Sequence, residues 1–369
     1  MVEYTRIKKF AENSKDLYDA MKQYGEHCLA ERGVVGKQFS STPKDVMEEA
    51  INKEFTQELY RRTGMTPDEN FDGSLQRFAN NSHVIEMADD IRDFMIDMLL
   101  PETLLTGSLR YFADFRFADL GDSMSFDIEN NALYNVTKAG YRKRSTNLQK
   151  LFKTTVTLAP INRQVTVGTD LFEILTGRVS IAKEVMKAVR SIETAMMFDA
   201  YDAFATATGN LSGNLAVANY SENSLISLCE KVTAYNQGRK AVIIGTPVAL
   251  KAVLPTNANY RYLLDDEYVR LGHLQTFNGY DVLPLEQDAN PYNATTPYSL
   301  KLDDTKIWVV SPAADKIVKI GVGGEMMSHT DAIYDNANLL QLSTLNKAWD
   351  CQVVTNSVCG IVKSLEAGN

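Results

Sequence analysis

The chain has 369 residues, of which 44% are hydrophobic and 23% charged, so it has room for roughly two to three folded units and can bury a core without staples. A formal charge of −9 and a pI near 5.1 exclude a protein whose main business is gripping phosphates, because that affinity comes largely from Lys and Arg. Four cysteines exclude a disulfide scaffold, Met1-Val2-Glu3-Tyr4-Thr5 carries no apolar signal core, and no window nears about eighteen apolar residues, so a soluble protein made in the cytoplasm, with no membrane partner, is expected.

Residues 1–110 read as charged helices. Leu17, Met21, Tyr24 and Cys28 share one face of a helix predicted from Asn13 to Glu31. Thr42 as N-cap and Pro43 at the first helical position open a second helix. Met47, Ile51, Phe55 and Leu59 recur in it every four residues, and Arg61, Arg62 and Gly64 close it. Ser82 opens a third, in which Val84, Ala88, Ile91, Met95 and Met98 form a stripe up to Pro101. Loops with Gly33, Gly36, Pro43, Pro67 and Gly73 separate them, so the region reads as an arm of helices rather than one compact core.

Between 111 and 168 the pattern turns to period two. Ser123 to Ile128, Thr155 to Leu158 and Gln164 to Val167 alternate polar with apolar, as half-exposed strands do. The stretch Lys138-Ala139-Gly140-Tyr141-Arg142-Lys143-Arg144, followed by Lys150 and Lys153, is basic in an acidic chain. It reads either as a solvated hairpin tip or as a loop that meets acidic neighbours. Within 169–219, Ser180 caps the longest helical signal, with Ile181, Val185, Val189, Ile192 and Met196 on one stripe that continues loosely to Gly209. About 24 residues at 1.5 Å each would span about 36 Å.

From 220 to 335 an α/β pattern follows. Leu225, Leu228 and Val232 mark a helix, and Ala241 to Ile244 a buried strand. Gly245-Thr246-Pro247 then turns into a short helix, with Thr246 as its cap. Ile307 to Val310 and Lys316 to Ile320 supply further strands, and residues 336–369 add Gln352 to Val354 and Gly360 to Lys363.

No residue set points to catalysis, a cofactor or a metal. His27, His83, His273 and His329 are scattered, without a ligand spacing. Cys28, Cys229, Cys351 and Cys359 form no CxxC and read as small buried thiols. Ile243-Ile244-Gly245-Thr246-Pro247 lacks GxGxxG, and Pro247 removes a phosphate-binding N–H. Gly321-Val322-Gly323-Gly324 reads as a tight turn and Asp265-Asp266-Glu267 as a solvated loop.

The order of helical segment, long hairpin, long helix and α/β unit resembles the major capsid protein of tailed bacteriophages, the Hong Kong 97-type fold. Leu225 to Val232 followed by Ala241 to Leu250 is similar to the opening of that family's axial (A) domain. Ser180 to Phe204 is similar to the spine helix of its peripheral (P) domain, and Leu120 to Val167 to its extended E-loop. The resemblance implies an α+β fold with an N-terminal helical arm (1–110), E-loop and flanking strands (111–168), spine helix and linker (169–219) and A domain (220–335). Residues 336–369 would then return through the P domain to the A domain. It also implies a structural, non-enzymatic subunit that forms hexamers and pentamers around double-stranded DNA without reading its sequence. Portal and scaffolding or decoration proteins would be its partners, and the virion, assembled in the host cytoplasm, its location. On this footing Lys138, Arg142, Lys143, Arg144, Lys150 and Lys153 would contact a neighbouring subunit, and the stripe from Ile181 to Met196 would be spine-helix core. Two alternatives stay open: an encapsulin-like compartment shell, and an α/β nucleotide-binding enzyme built around Ile243, Gly245 and Thr246.

Overall fold

The structure is a computed structural model. It describes residues 10, 12–33, 37, 39–106, 113–119, 124–129, 133–136, 138, 149–150, 152–168, 170–255, 265–285, 287, 289–290, 298–312, 315–331 and 341–365. Three long N-terminal helices come first, α1 (Lys15–Glu31), α2 (Lys44–Thr63) and α3 (Ser82–Thr106), with short turns of helix at Pro67–Asn70 and Leu75–Ala79 between the last two. The starts of α2 and α3 differ from expectation by one residue. Pro43, with ψ 145°, is itself the N-cap of α2, so Thr42 lies outside the helix. At α3 the side chain of Asn81 accepts from the N–H groups of His83 and Val84 at 3.0 and 3.4 Å, so Asn81 is the cap and not Ser82. The close of α2 is as read, with Gly64 left-handed at φ 63° and its N–H on the Tyr60 carbonyl.

Pro101 does not end α3, which runs on to Thr106. A proline inside a helix forfeits one backbone bond, and the burial of Leu99, Leu100 and Leu104 around it offsets the loss.

The arm reading is corrected in one respect. Phe10, Leu17, Met21, Ile51, Phe55, Ile91 and Met95 share a single buried cluster with the long helix and the first sheet. The apolar stripes of α1 to α3 are therefore covered within the chain.

That long helix, α4 (Ile181–Gly209), has 29 residues, or about 43 Å at 1.5 Å per residue. Ser180 caps it by accepting from the Lys183 N–H at 3.4 Å. It lies on a four-stranded sheet ordered β1 (Ala113–Ala118), β10 (Val318–Asp331), β11 (Leu342–Val353) and β4 (Ile161–Gly168). β1 runs parallel to β10, and the other pairs are antiparallel. Strands β2 (Met124–Glu129) and β3 (Lys153–Leu158) form a separate two-stranded hairpin.

The glycines from Gly321 to Gly324, read as a turn, run inside β10 instead, where the ladder shifts register between Gly323 and Met327. The reason is tertiary. A Cβ at Gly321 would lie 2.7 Å from Met124 Sδ, and one at Gly323 would lie 2.9 Å from Pro160 Cγ. The hairpin and the Pro160 turn that follows it cross close over β10 at these glycines, most rigidly at Gly323.

A second sheet is ordered β5 (Ala216–Asn219), β12 (Gly360–Ser364), β9 (Ile307–Val310), β6 (Val242–Gly245), β8 (Tyr280–Pro284) and β7 (Thr276–Phe277). Parallel and antiparallel pairs mix in it. α5 (Glu222–Tyr235), opened by a Ser221–Ser224 capping box, packs Leu225, Leu228 and Val232 on it. Near its C-terminus α4 reaches this sheet. The Trp308 indole, fully buried, donates to Thr208 Oγ1 at 3.2 Å, and its ring meets Tyr201 and Phe204. The C-terminal chain visits both layers, β11 in the first sheet and β12 in the second.

Candidate assembly surfaces

The hairpin has a packed root and an uncovered outer part. At the root Met124, Phe126 and Leu158 form a small buried cluster. The Phe126 ring is flanked by two cations, the Arg116 guanidinium at 4.3 Å and Lys319 Nζ at 5.6 Å from its centroid. Arg116 also donates to the Ser125 carbonyl. Lys153, at the outer end of β3, pairs with Asp127 Oδ2 at 2.8 Å. Hydrogen bonds from Lys153 and Thr155 hold the Asp127 carboxyl below its ordinary range.

Further out, the Asn135 N–H donates to Gln149 Oε1 at 2.7 Å, and Gln149 Nε2 returns a bond to the Asn135 carbonyl at 2.8 Å. This two-way amide clamp carries the pairing of the limbs beyond the ladder. Around it Leu133, Tyr134, Val136 and Phe152 are exposed, Val136 to 92%. Four large apolar side chains on one short ribbon have no cover within the described chain. The pattern Leu133-Tyr134-Asn135-Val136 could have shown them in the sequence, but the neighbouring lysines and arginines drew the reading to charge.

The six basic residues fare differently. Lys138 and Lys150 are exposed near the clamp. Lys153 is exposed too, with its partner Asp127 on its own hairpin. Arg142, Lys143 and Arg144 lie outside the described residues. The five stripe residues of α4, Ile181, Val185, Val189, Ile192 and Met196, are all buried, Val185, Val189 and Met196 completely.

A second open surface is β4, an outer strand of its sheet with Ile161 and Val165 exposed. Among the described residues no strand pairs with its outer side. It is fastened inward by Arg163, which donates to Asp199 of α4 at 2.9 Å and lies over the Trp349 ring, whose indole donates to the same carboxylate.

The cysteines outside α1 are held as thiols. Burial pushes the thiols of Cys229 and Cys351 up to about 12 and that of Cys359 to about 11, so they stay protonated at neutral pH. Among the described residues no group of three His, Cys, Asp or Glu could hold a metal ion, and no helix is long and apolar enough to cross a membrane. The Thr246 hydroxyl is fully buried and caps its own four-residue helix through the Ala249 N–H. The mixed strands beside it are not a doubly wound nucleotide sheet.

Comparison with known proteins places this architecture. A family described as "SPbeta prophage-derived putative capsid protein YonB" matches residues 27–363. No curated protein matches the chain. Among solved structures, the capsid of an empty GTA particle is similar at 16% identity and TM-score 0.47, over 71% of this chain and 97% of that one. The mature capsid of bacteriophage PhiM1 is similar at 12% and 0.42, over 70% and 86%. Mycobacterium phage Adephagia gives 13% and 0.42, over 71% and 91%. The family match spans the α+β architecture from α1 to β12: N-terminal helices, hairpin, long helix on its sheet, and mixed-sheet unit. The chain belongs to the YonB family of prophage-derived capsid proteins, and it is a structural capsid protein.

Proposed function

We propose that this chain is the repeating subunit of an icosahedral shell, forming hexamers and pentamers that enclose double-stranded DNA. The observation that carries the reading is the hairpin, clamped at its root by Phe126 and glycine contacts yet bearing Leu133, Tyr134, Val136 and Phe152 uncovered. A monomer has no use for such a ribbon, whereas a shell covers it with the next copy. Ring-forming contacts of this head-to-tail kind close by rotation. In this reading residues 111–168 are the E-loop, 169–219 the spine helix and linker, and 220–335 the axial domain around the ring centre. Lys138, Lys150 and the Arg142-Lys143-Arg144 stretch meet acidic groups of a neighbouring copy. The chain's net charge of −9 keeps enclosed DNA from binding tightly to the wall. Portal and scaffolding or decoration proteins complete the particle in the host cytoplasm, and the subunit carries out no catalysis. The family match is to capsid proteins and does not favour a cargo compartment.

Negative-stain microscopy of the purified full chain, with nucleic acid measured in particles from infected or induced cells, tests this. Closed particles with five- and six-fold rings are expected. A monodisperse species of 41.2 kDa by light scattering under every salt condition would overturn it.

A further inference from the structure

One face of α3 carries Asp89, Asp93 and Asp97, four residues and so about 6 Å of helix rise apart. Met326, Ser328 and Thr330 of β10 are two residues and about 6.6–6.8 Å of strand apart. The two repeats match and are zipped together. Asp97 Oδ2 accepts from the Met326 N–H at 2.6 Å, and Asp93 Oδ2 from the Ser328 N–H at 2.8 Å. Asp89 Oδ1 accepts from the Thr330 hydroxyl at 2.7 Å. This part of β10 needs such partners, because β1 ends opposite it at the Ala118–Gly323 pair, where the ladder to β11 also breaks. The aspartates take over where the neighbouring strand runs out.

We propose that this ladder is a pH-operated latch, holding α3 on the edge of β10 in mildly acidic solution and loosening as the pH rises to neutrality. Asp93 is its titrating rung, because the charges around it are already engaged. On α3, Arg92 pairs with Asp89 and with Glu184 of α4. Lys347 of β11 pairs with Asp97 at 2.6 Å and donates to the Gly324 carbonyl. Glu58 and Arg62 of α2 pair with each other, and Arg62 also covers Phe94. Arg32, at the end of α1, pairs with Glu193 of α4, and on β10 the exposed His329 pairs with Asp331. Among the described residues the buried Asp93 Oδ1 has no hydrogen-bond partner. Burial therefore raises the Asp93 carboxyl to about 7 against the pull of the Ser328 donors and Arg92, with Asp97 adding to the rise.

The closed latch thus binds a proton that the open one, with an ordinary carboxyl near about 3.9, releases. Closure is favoured most below about pH 4, weakens through the interval up to about 7, and levels off above it. Hydrogen exchange of the Met326 and Ser328 amides in the full chain, expressed as protection factors, reads this directly. Protection is expected to fall roughly tenfold per pH unit between about pH 5 and 7 and then to flatten. Asp93→Asn should remove the slope. Ser328→Ala, which deletes the hydroxyl donor and spares the backbone one, should move the flattening to higher pH, and it decides the matter if Asp93→Asn does not fold. A wild-type protection factor constant over that interval, an unaltered slope in a folded Asp93→Asn chain, or a flattening that stays at the wild-type pH in Ser328→Ala would overturn the latch.

Discussion

Glu58 and Asp93 are both buried carboxyls of the N-terminal helices, and their surroundings drive them in opposite directions. Burial pushes Glu58 upward as well, but hydrogen bonds from Arg61, Ser14 and Arg62 outweigh it and hold the carboxyl below its ordinary value. A carboxyl depressed in the folded state contributes stability above its unfolded pKa and loses it as the pH falls through the folded one. Glu58 therefore makes the α1–α2 junction acid-sensitive, whereas Asp93 weakens its own contact as the pH rises. Glu58→Gln should cost about 1–3 kcal/mol at neutral pH, since it strips a charged acceptor from two guanidinium groups and a buried hydroxyl. Urea denaturation between about pH 3.5 and 7 checks this: the variant should be weaker at neutral pH and lose less on acidification, and a curve parallel to wild type would refute the assignment. Val189, fully buried on α4, sets a harder limit. Val189→Asp places an unpaired carboxylate in the shared core at a cost of several kcal/mol, a large part of total stability. It should yield no folded soluble chain, and assembled particles from it would show that the stripe is not core.

At the scale of elements, what the sequence made legible was whatever repeats locally. The stripe from Ile181 to Met196 reads as a helix because its spacing is set by the helix's own pitch, and α4 is there with Ser180 as its cap. The same holds for the Thr246-Pro247 helix start and for the strand at Ile307 to Val310. What escaped depends on partners far away in the chain. Nothing near Gly321 or Gly323 announces that a hairpin crosses above them, so two glycines in a strand read as a turn. Nothing in α3 distinguishes an acidic stripe that zips to β10 from a solvated face. The uncovered ribbon is half legible: its basic residues stand out in an acidic chain, whereas Leu133, Val136 and Phe152 do not differ in the sequence from core residues. The glycine contact can be separated from the sheet itself. Gly323→Val would drive a branched side chain against the Pro160 ring, which cannot swing aside, while β-branched residues suit a strand. The chain should remain folded by circular dichroism, with Phe126 newly reachable by solvent and the hairpin displaced. Retention of normal assembly by this variant would show that the hairpin's seating is not tied to these glycines.

For the whole molecule, one large core joins the N-terminal helices, α4 and the first sheet, and α4 carries that core to Trp308 of the second. Such a body supplies its own stability, so the surfaces left open serve contacts between copies in the proposed shell. Two forces are available on the hairpin, and their magnitudes differ. An exposed ion pair is worth about 0.2–1 kcal/mol and is screened over about 8–10 Å at moderate ionic strength. Burying one large apolar side chain is worth about 1.5–3 kcal/mol and does not weaken with salt. Leu133, Val136 and Phe152 should therefore supply most of the contact energy, and Arg142, Lys143 and Arg144 its register and its rate of formation. Changing the three apolar residues to Ser should abolish particles at any salt concentration and leave the monomer folded by circular dichroism. Changing the three basic residues to Glu should block assembly at low salt, where repulsion from the acidic chain is strongest, with partial recovery as salt rises. Light scattering of both variants across a salt series separates the two roles. Full assembly of the Ser variant would place the energetic centre of the contact elsewhere, with the outer strand β4 and its exposed Ile161 and Val165 as the surface to change next.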